Sequence, residues 1–434
     1  MPTTPRPFQP APLAHRSSEQ AIGYLMQQGL ENPDCLSLAA GFVDPDTLPV
    51  NLVSEAASSL LADQRTGKRI LQYGSTAGSP ELREVYRTWL GQLEDDPDRV
   101  ANVDMGQFML TTGSQQLLCL LSQALFSEGD ICLVAAPTYF VYLGVLDAVG
   151  AEAIPVKTDD DGMCPEALNQ QLQELADEGR LDKVKLVYVV SYHDNPSGIS
   201  VSSDRRPELL NCVQKWSRDH TIYLLEDAAY RELNYEGDPR PSIWSFDSGY
   251  TSGDQQHVIL SQTFSKSFSP GIRVGLGVLP QELVKPVSDL KGNEDFGSPH
   301  LNQNIMAHVL QSGRYEQHLK VVRNGYRTKR DAMLSACDES CSSISGVSWR
   351  RPEGGLYVWM TLPEHIETGF ESRLFKRATE VDQVMYVPGE LCYPSGWKDR
   401  PKNQMRLSFG VLSPDQIREG IRRLASAVAA VLGE

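Results

Sequence analysis

The chain has 434 residues, 41% of them hydrophobic and 22% charged, with a formal net charge of −16. That length is too great for one ordinary core and the composition is not that of a disordered chain, so two domains are expected. The acidic surplus repels phosphate backbones and excludes nucleic acid as an expected partner.

The first residues, MPTTPRPFQPAPLAHRSSEQ, are Pro-rich and lack the apolar stretch of a signal peptide. Apolar runs nowhere reach membrane-spanning length, so no membrane partner is expected. Eight cysteines are scattered along the chain, and only Cys337 and Cys341 lie close, one helical turn apart without nearby histidines. Two unpaired thiols explain that pair better than a metal, so no metal and a reducing, cytoplasmic location are expected.

In chain order, residues 1 to about 18 read as a flexible arm. A short helix is expected over Ala21 to Gln28, ended by Gly29. An irregular segment to residue 48 follows. Helical apolar spacing marks Leu52 to Leu61 and Pro80 to Leu90. Then come six apolar runs rich in β-branched residues: FMLTTGS, ICLVAAP, KLVYVVSY, IYLLEDA, VILSQTF and RVGLGVL. Strands buried on both faces give such runs, and helical crossovers give their spacing. An α/β domain with a mostly parallel sheet is expected over 49–300. Long helices, the short runs GGLYVWMTL, VMYVPG and QMRLSFG, and a closing helix from Pro414 to Leu432 predict a smaller α+β domain over 301–434.

Ligands of open α/β sheets collect at the carboxyl ends of the strands. Several polar residues stand at such ends here. Thr112-Gly113-Ser114-Gln115 opens a helix after FML and offers amides to a phosphate, although Ser is also simply a good N-cap. Asp227 ends IYLLE, and a carboxylate there needs a cation or several donors. A protonated ring nitrogen is the functional reading and capping the next helix the bland one. Tyr230 follows on the same side. Asn195-Pro196-Ser197-Gly198 after LVYVVSY reads alone as an ordinary turn. Lys266, between Ser265 and Ser267 at a strand end, is unusual, because lysine favours exposed helix faces. A lysine shielded from water can serve as a Schiff-base amine. Arg273 is near enough to serve an anion on the same loop. Arg406, flanked by apolar residues in QMRLSFG, wants a carboxylate, either the protein's or a substrate's.

In this order and placement the motifs resemble class I/II aminotransferases of pyridoxal-phosphate (PLP) fold type I, from about Leu36 to the C-terminus. The resemblance implies an α/β fold with a large, mostly parallel seven-stranded sheet domain and a smaller α+β domain. It implies pyridoxal 5'-phosphate bound as a Schiff base to Lys266, within Thr263-Phe264-Ser265-Lys266 and ahead of Pro270-Gly271-Ile272-Arg273. Asn195 and Tyr230 then serve the ring 3'-oxygen, Asp227 the pyridine nitrogen, and Tyr139 the ring face. Ser114 and Gln115 match the phosphate cup, with Thr263, Ser265 and Arg273 as further cofactor contacts. Tyr73 matches a tyrosine that reaches the partner subunit's cofactor, which implies a homodimer with shared sites. Arg406 matches the grip on the substrate α-carboxylate, assisted by Asn195.

Leu38-Ala39-Ala40-Gly41, Glu226-Asp227-Ala228-Ala229-Tyr230-Arg231 and Pro352-Glu353-Gly354-Gly355-Leu356-Tyr357 look like the 2-aminoadipate/kynurenine branch. That resemblance adds Gly41 and, in the arm, Arg16 as substrate contacts, and implies amino acid and 2-oxo acid substrates. Asp194, where the branch often has glutamine, is a departure. The expected activity is transfer from 2-aminoadipate, an aromatic or a large apolar amino acid to 2-oxoglutarate. A C–S lyase or another Cα–H-cleaving enzyme of the same fold is the alternative. A regulator carrying such a domain behind a winged helix is disfavoured by the short Pro-rich start.

Overall fold

The computed structural model describes residues 8–17, 21–32, 34–39, 41–237 and 239–433. Residues 1–7 and 18 of the expected arm, and Ala40, lie outside them.

Eight strands form the large sheet, in the order Phe108–Thr111, Gly275–Val278, Val258–Thr263, Tyr223–Asp227, Val184–Val190, Ile131–Ala136, Glu152–Asp159 and Gly162–Met163. From Val258–Thr263 to Glu152–Asp159 the neighbours are parallel, and Gly275–Val278 runs antiparallel to both of its neighbours. The last strand has two residues and turns back from Glu152–Asp159 as a hairpin. The seven long strands match the expected sheet, and this short one extends its edge.

Glu152–Asp159 carries no continuous apolar run, and Pro155 sits in its middle. Proline cannot donate to a ladder, so an edge position suits it. The six apolar runs are buried on both faces because helices cover both. Their side chains alternate between two core layers. Leu224, Val187 and Val189 face one; Tyr223, Leu225, Tyr188 and Val190 face the other.

The second layer continues into a four-stranded antiparallel sheet, ordered Ser348–Trp349, Tyr357–Thr361, Gln404–Ser408 and Val387–Pro388. The helices Arg314–Cys341 and Pro414–Gly433 pack on each other beside it. Leu36–Ser37 pairs in parallel with Val384–Met385 as a separate two-stranded sheet, which ties the N-terminal segment to the C-terminal part of the chain.

Two local expectations differ. The helix expected to stop at Gly29 continues to Glu31, since one glycine costs only about 1 kcal/mol inside a helix. Pro12–Arg16 is helical rather than free and packs on the helix Phe140–Val149. Among the described residues no helix is long and apolar enough to cross a membrane.

Candidate active site

A cavity of about 170 Å³ opens at the carboxyl ends of the central strands. It gathers Ser114, Gln115, Tyr139, Asn195, Asp227, Tyr230, Thr263, Ser265, Lys266 and Arg273, ten of the residues singled out from sequence. They come from six separate stretches of chain, which only the sheet brings together.

One end is made of anion donors. The helix Ser114–Leu125 begins here, and the amides of its first turn have no intrahelical partner. Gly113 precedes it with φ +75°, and a Cβ there would lie 2.5 Å from the Arg273 guanidinium. Glycine is therefore required both for the turn and for the arginine's approach. Arg273 Nη2 donates to the Thr112 carbonyl at 2.9 Å. Arg273 itself has φ +50°, a left-handed conformation uncommon outside glycine, so the loop holds this guanidinium at the cost of backbone strain. Thr263 donates to the Ser265 hydroxyl at 3.0 Å, and the Ser265 amide donates back to Thr263 at 3.2 Å. These bonds fix the strand end from which Lys266 projects. Lys266 Nζ donates to the Gly41 carbonyl at 2.9 Å, the contact that brings the N-terminal segment to the site.

The other end centres on Asp227. Its carboxylate accepts from the Tyr188 hydroxyl at 3.0 Å and the Ala229 amide at 3.2 Å. Tyr188 and Asp227 share a face because the register pairs Val190 with Asp227 and Tyr188 with Leu225. Burial pushes the Asp227 carboxyl up to about 6, against the pull of those two donors. Among the described residues it forms no ion pair. A buried carboxylate without a cation is costly, and a protonated ring nitrogen would remove that cost.

Asn195 Oδ1 accepts from Arg406 Nη1 at 2.8 Å, and Arg406 Nη2 donates to the Ala39 carbonyl at 2.8 Å. The guanidinium lies over the Tyr357 ring at 4.3 Å and near Phe140 at 5.6 Å. No described carboxylate pairs with Arg406, and its buried Nε has no partner. Of the two ligands open to it from sequence, the substrate's carboxylate is the one consistent with this environment. A Cβ on Gly41 would stand 3.3 Å from the Tyr357 hydroxyl and 3.9 Å from Arg406, so Gly41 borders this end. Tyr230 and Tyr357 bond through their hydroxyls at 3.1 Å. Burial raises the phenol pKa of Tyr139 and of Tyr230, so both remain neutral.

Asp194, the departure from the branch pattern, is buried beside Asn195. Its Oδ2 accepts from the Ser197 hydroxyl at 2.7 Å and the Ser197 amide at 3.3 Å, while Oδ1 has no partner. Burial pushes its carboxyl up to about 7.

Two expected residues stand elsewhere. Tyr73 is 79% exposed, its ring edge-on to the exposed Phe296, and it does not line its own chain's cavity. Arg16 does not reach the cavity either. Its Nε donates to the Ala148 carbonyl at 3.2 Å and its Nη1 pairs with Glu128 at 3.1 Å, because the Pro12–Arg16 helix docks on Phe140–Val149. Sequence reasoning did not single out Tyr188, Val190 or Ala229. Strand parity with Asp227 was the signal for the first two. Among the described residues no group of His, Cys, Asp and Glu could hold a metal ion.

The donor set fits a phosphorylated aromatic aldehyde: anion donors at one end, an amine at the middle, a buried acid for a ring nitrogen at the other. Known proteins agree. The profile of the family "Aminotransferase class I and II" matches residues 33–424. Aromatic-amino-acid aminotransferase 1 of Thermococcus litoralis is 34% identical, over 92% of this chain and 89% of its own. The crystal structure of the multiple substrate aminotransferase from Thermococcus profundus superposes with a TM-score of 0.86 at 33% identity, covering 97% of each chain. That of the α-aminoadipate aminotransferase from Thermus thermophilus, complexed with N-(5'-phosphopyridoxyl)-L-leucine, superposes at 0.82 with 30% identity, covering 98% of each.

Proposed function

This chain belongs to the class I and II aminotransferases, and on that premise we propose that it moves the amino group of 2-aminoadipate, an aromatic or a large apolar amino acid to 2-oxoglutarate in a ping-pong cycle. The observation that carries the reading is Asp227, a buried acid without a cation, in one cavity with Lys266 and the Ser114–Arg273 anion donors. The choice of donor is supported by the relatives named for aromatic amino acids and for α-aminoadipate.

Pyridoxal 5'-phosphate, the cofactor of the family, supplies when bound a sink for the electron pair left at the substrate's Cα. Lys266 would carry it covalently, with Ser114, Gln115, Thr263, Ser265 and Arg273 about its phosphate. Asn195 and Tyr230 would bond the ring 3'-oxygen, and Tyr139 would cover the ring. Asp227 would hold a proton on the ring nitrogen, since opposite charge at short range favours the charged form. Arg406 would bind the substrate α-carboxylate through its fork, already steadied by Asn195 and Ala39. That grip would orient Cα toward Lys266, whose Nζ, once the substrate's amine has displaced it from the covalent link, would be a free amine able to take the Cα proton as general base. Eight free thiols support a reducing, cytoplasmic setting.

The exposed Tyr73 supports a homodimer in which each chain lends this residue to its partner's cavity. A mixture of Tyr73→Ala and Lys266→Ala chains should then recover about a quarter of wild-type activity through hybrid dimers.

The activity is tested by loading the purified enzyme with the cofactor and presenting amino acids singly. 2-Aminoadipate, phenylalanine, tyrosine and leucine should convert it to the aminated form, read by absorbance, and 2-oxoglutarate should reverse the change. Failure of 2-oxoglutarate to do so, with release of other products, would favour a lyase.

A further inference from the structure

A second cavity, of about 460 Å³, shares no lining residue with the first. It lies between the helix Arg314–Cys341 and the loop that follows Tyr223–Asp227. Five cations line it: Arg231, Arg240, Lys320, Arg323 and Arg327. Among the described residues its lining holds no aspartate or glutamate; Asp238, between the lining residues Gly237 and Pro239 in sequence, lies outside them.

Two of the five are matched one for one. Arg231 pairs with the buried Glu94, and Arg240 with Glu353 at 2.7 Å. The other three are not. Arg323 Nε donates to the Glu232 backbone carbonyl at 2.6 Å, and Arg327 to that of Tyr235. Among the described residues neither has an ion pair, nor does Lys320. The three stand at spacings of three and four on one helix, where like charges face each other and repel. The chain has 56 acidic residues to 40 lysines and arginines, so partners for these cations would be easy to supply. Three charges without an ion-pair partner among the described residues, converging on one concave space, are a local feature that the acidic composition does not explain.

We infer that this cavity binds a small oxyanion of charge −2 or more, a polyphosphate or a polycarboxylate. Guanidinium forks match the oxygens of either group bidentately. The volume lies in the range of small-molecule sites. The cavity touches the catalytic segments through the chain itself. Arg231 directly follows Tyr230, and Tyr192, another lining residue, stands three residues before Asn195.

The test uses cofactor-loaded enzyme at constant ionic strength, titrated calorimetrically with inorganic pyrophosphate and, separately, with citrate. At least one should bind saturably, once per chain, with Kd below about 1 mM. The tighter of the two identifies the oxygen chemistry. Lys320→Glu and Arg327→Gln, both at exposed positions, should each weaken it by about tenfold or more. Lys285→Glu, the same charge change at an exposed position of the helix Gln281–Glu294, should leave it unchanged. Absence of saturable binding by both anions, binding that survives Lys320→Glu, or equal loss in Lys285→Glu would each overturn the inference.

Discussion

At the anion end of the catalytic cavity, protein bonds to protein. Arg273 is held by the Thr112 and Pro270 carbonyls, and Thr263 and Ser265 bond each other. At the carboxylate end, buried polar groups are left over: Arg406 Nε, Asp194 Oδ1, and an Asp227 without a counter-ion. The first end is shaped in advance; the second is completed only by what it binds. Preformed donors favour an anion that stays, while groups that lack protein partners mark where charge must come from a ligand.

The sharpest way to break this contrast is to remove the group between the two ends. Lys266→Ala should lower turnover by about 10⁴-fold or more, since a general base alone contributes up to about that much. Borohydride reduction and peptide mapping of the wild type should place the cofactor on Lys266, and a label on any other lysine would remove the assignment. Next in size is Asp227→Asn. It keeps the Ala229 bond at Oδ1 and donates to the Tyr188 hydroxyl where Oδ2 accepted from it, but it cannot balance a ring cation. It should slow Cα–H cleavage by about 10²-fold, the scale of one buried electrostatic contact at a reacting centre, and loosen the cofactor. A near-normal single-turnover rate would show that Asp227 is only a cap.

The two ends were unequally legible in the sequence. Gly113, Asp227, Lys266 and Arg273 sit in contiguous motifs at the ends of recognisable apolar runs, so local order alone marks the cofactor side. Tyr188 was hidden inside such a run, since an inward tyrosine reads there as core until its register with Asp227 is known. The Glu152–Asp159 strand was hidden by Pro155, tolerable because the short outer hairpin strand pairs only with Thr158 and Asp159 and leaves Pro155 with a strand neighbour on one side alone. Arg406 was legible as a buried cation, but its neutral partners Asn195 and Ala39 come from 211 and 367 residues away. Separations of that size leave no trace in periodicity or spacing.

Asp194 sharpens the comparison through stability. Its carboxyl is pushed up to about 7 by burial, with the charge of Arg350 pulling the other way and that of Asp227 adding to it. In the unfolded chain an aspartate titrates near 3.9. A raised folded pKa means stability that is complete below about pH 4 and is lost as pH rises toward 7. Asp194→Asn cannot ionise, so it should be the more stable protein at pH 8, by up to about 4 kcal/mol. The amide placed at the unpartnered Oδ1 position needs an acceptor, which reduces that gain. Urea unfolding at pH 4.5 and pH 8 measures the difference. A stability gap that is the same at both would mean that Asp194 is ionised throughout.

The smallest effect is expected at Arg16, and it bears on which residue reads the substrate's side chain. A cation that paired the distal carboxylate of 2-oxoglutarate would contribute about 1.5–3 kcal/mol, a selective loss of roughly ten- to hundredfold. Arg16 instead bonds Ala148 and Glu128, and its Glu128 partner is 78% exposed. An ion pair so open to water contributes about 0–1 kcal/mol. Arg16→Ala should therefore leave the ratio of kcat/KM for 2-aminoadipate over phenylalanine within about twofold of wild type. The docked Pro12–Arg16 helix should loosen, and limited proteolysis of the arm would report it. A tenfold fall in that ratio would show that the helix leaves Phe140–Val149 and carries its guanidinium to the substrate. The carboxylate end would then be finished by the chain's own N-terminal segment rather than by the ligand alone.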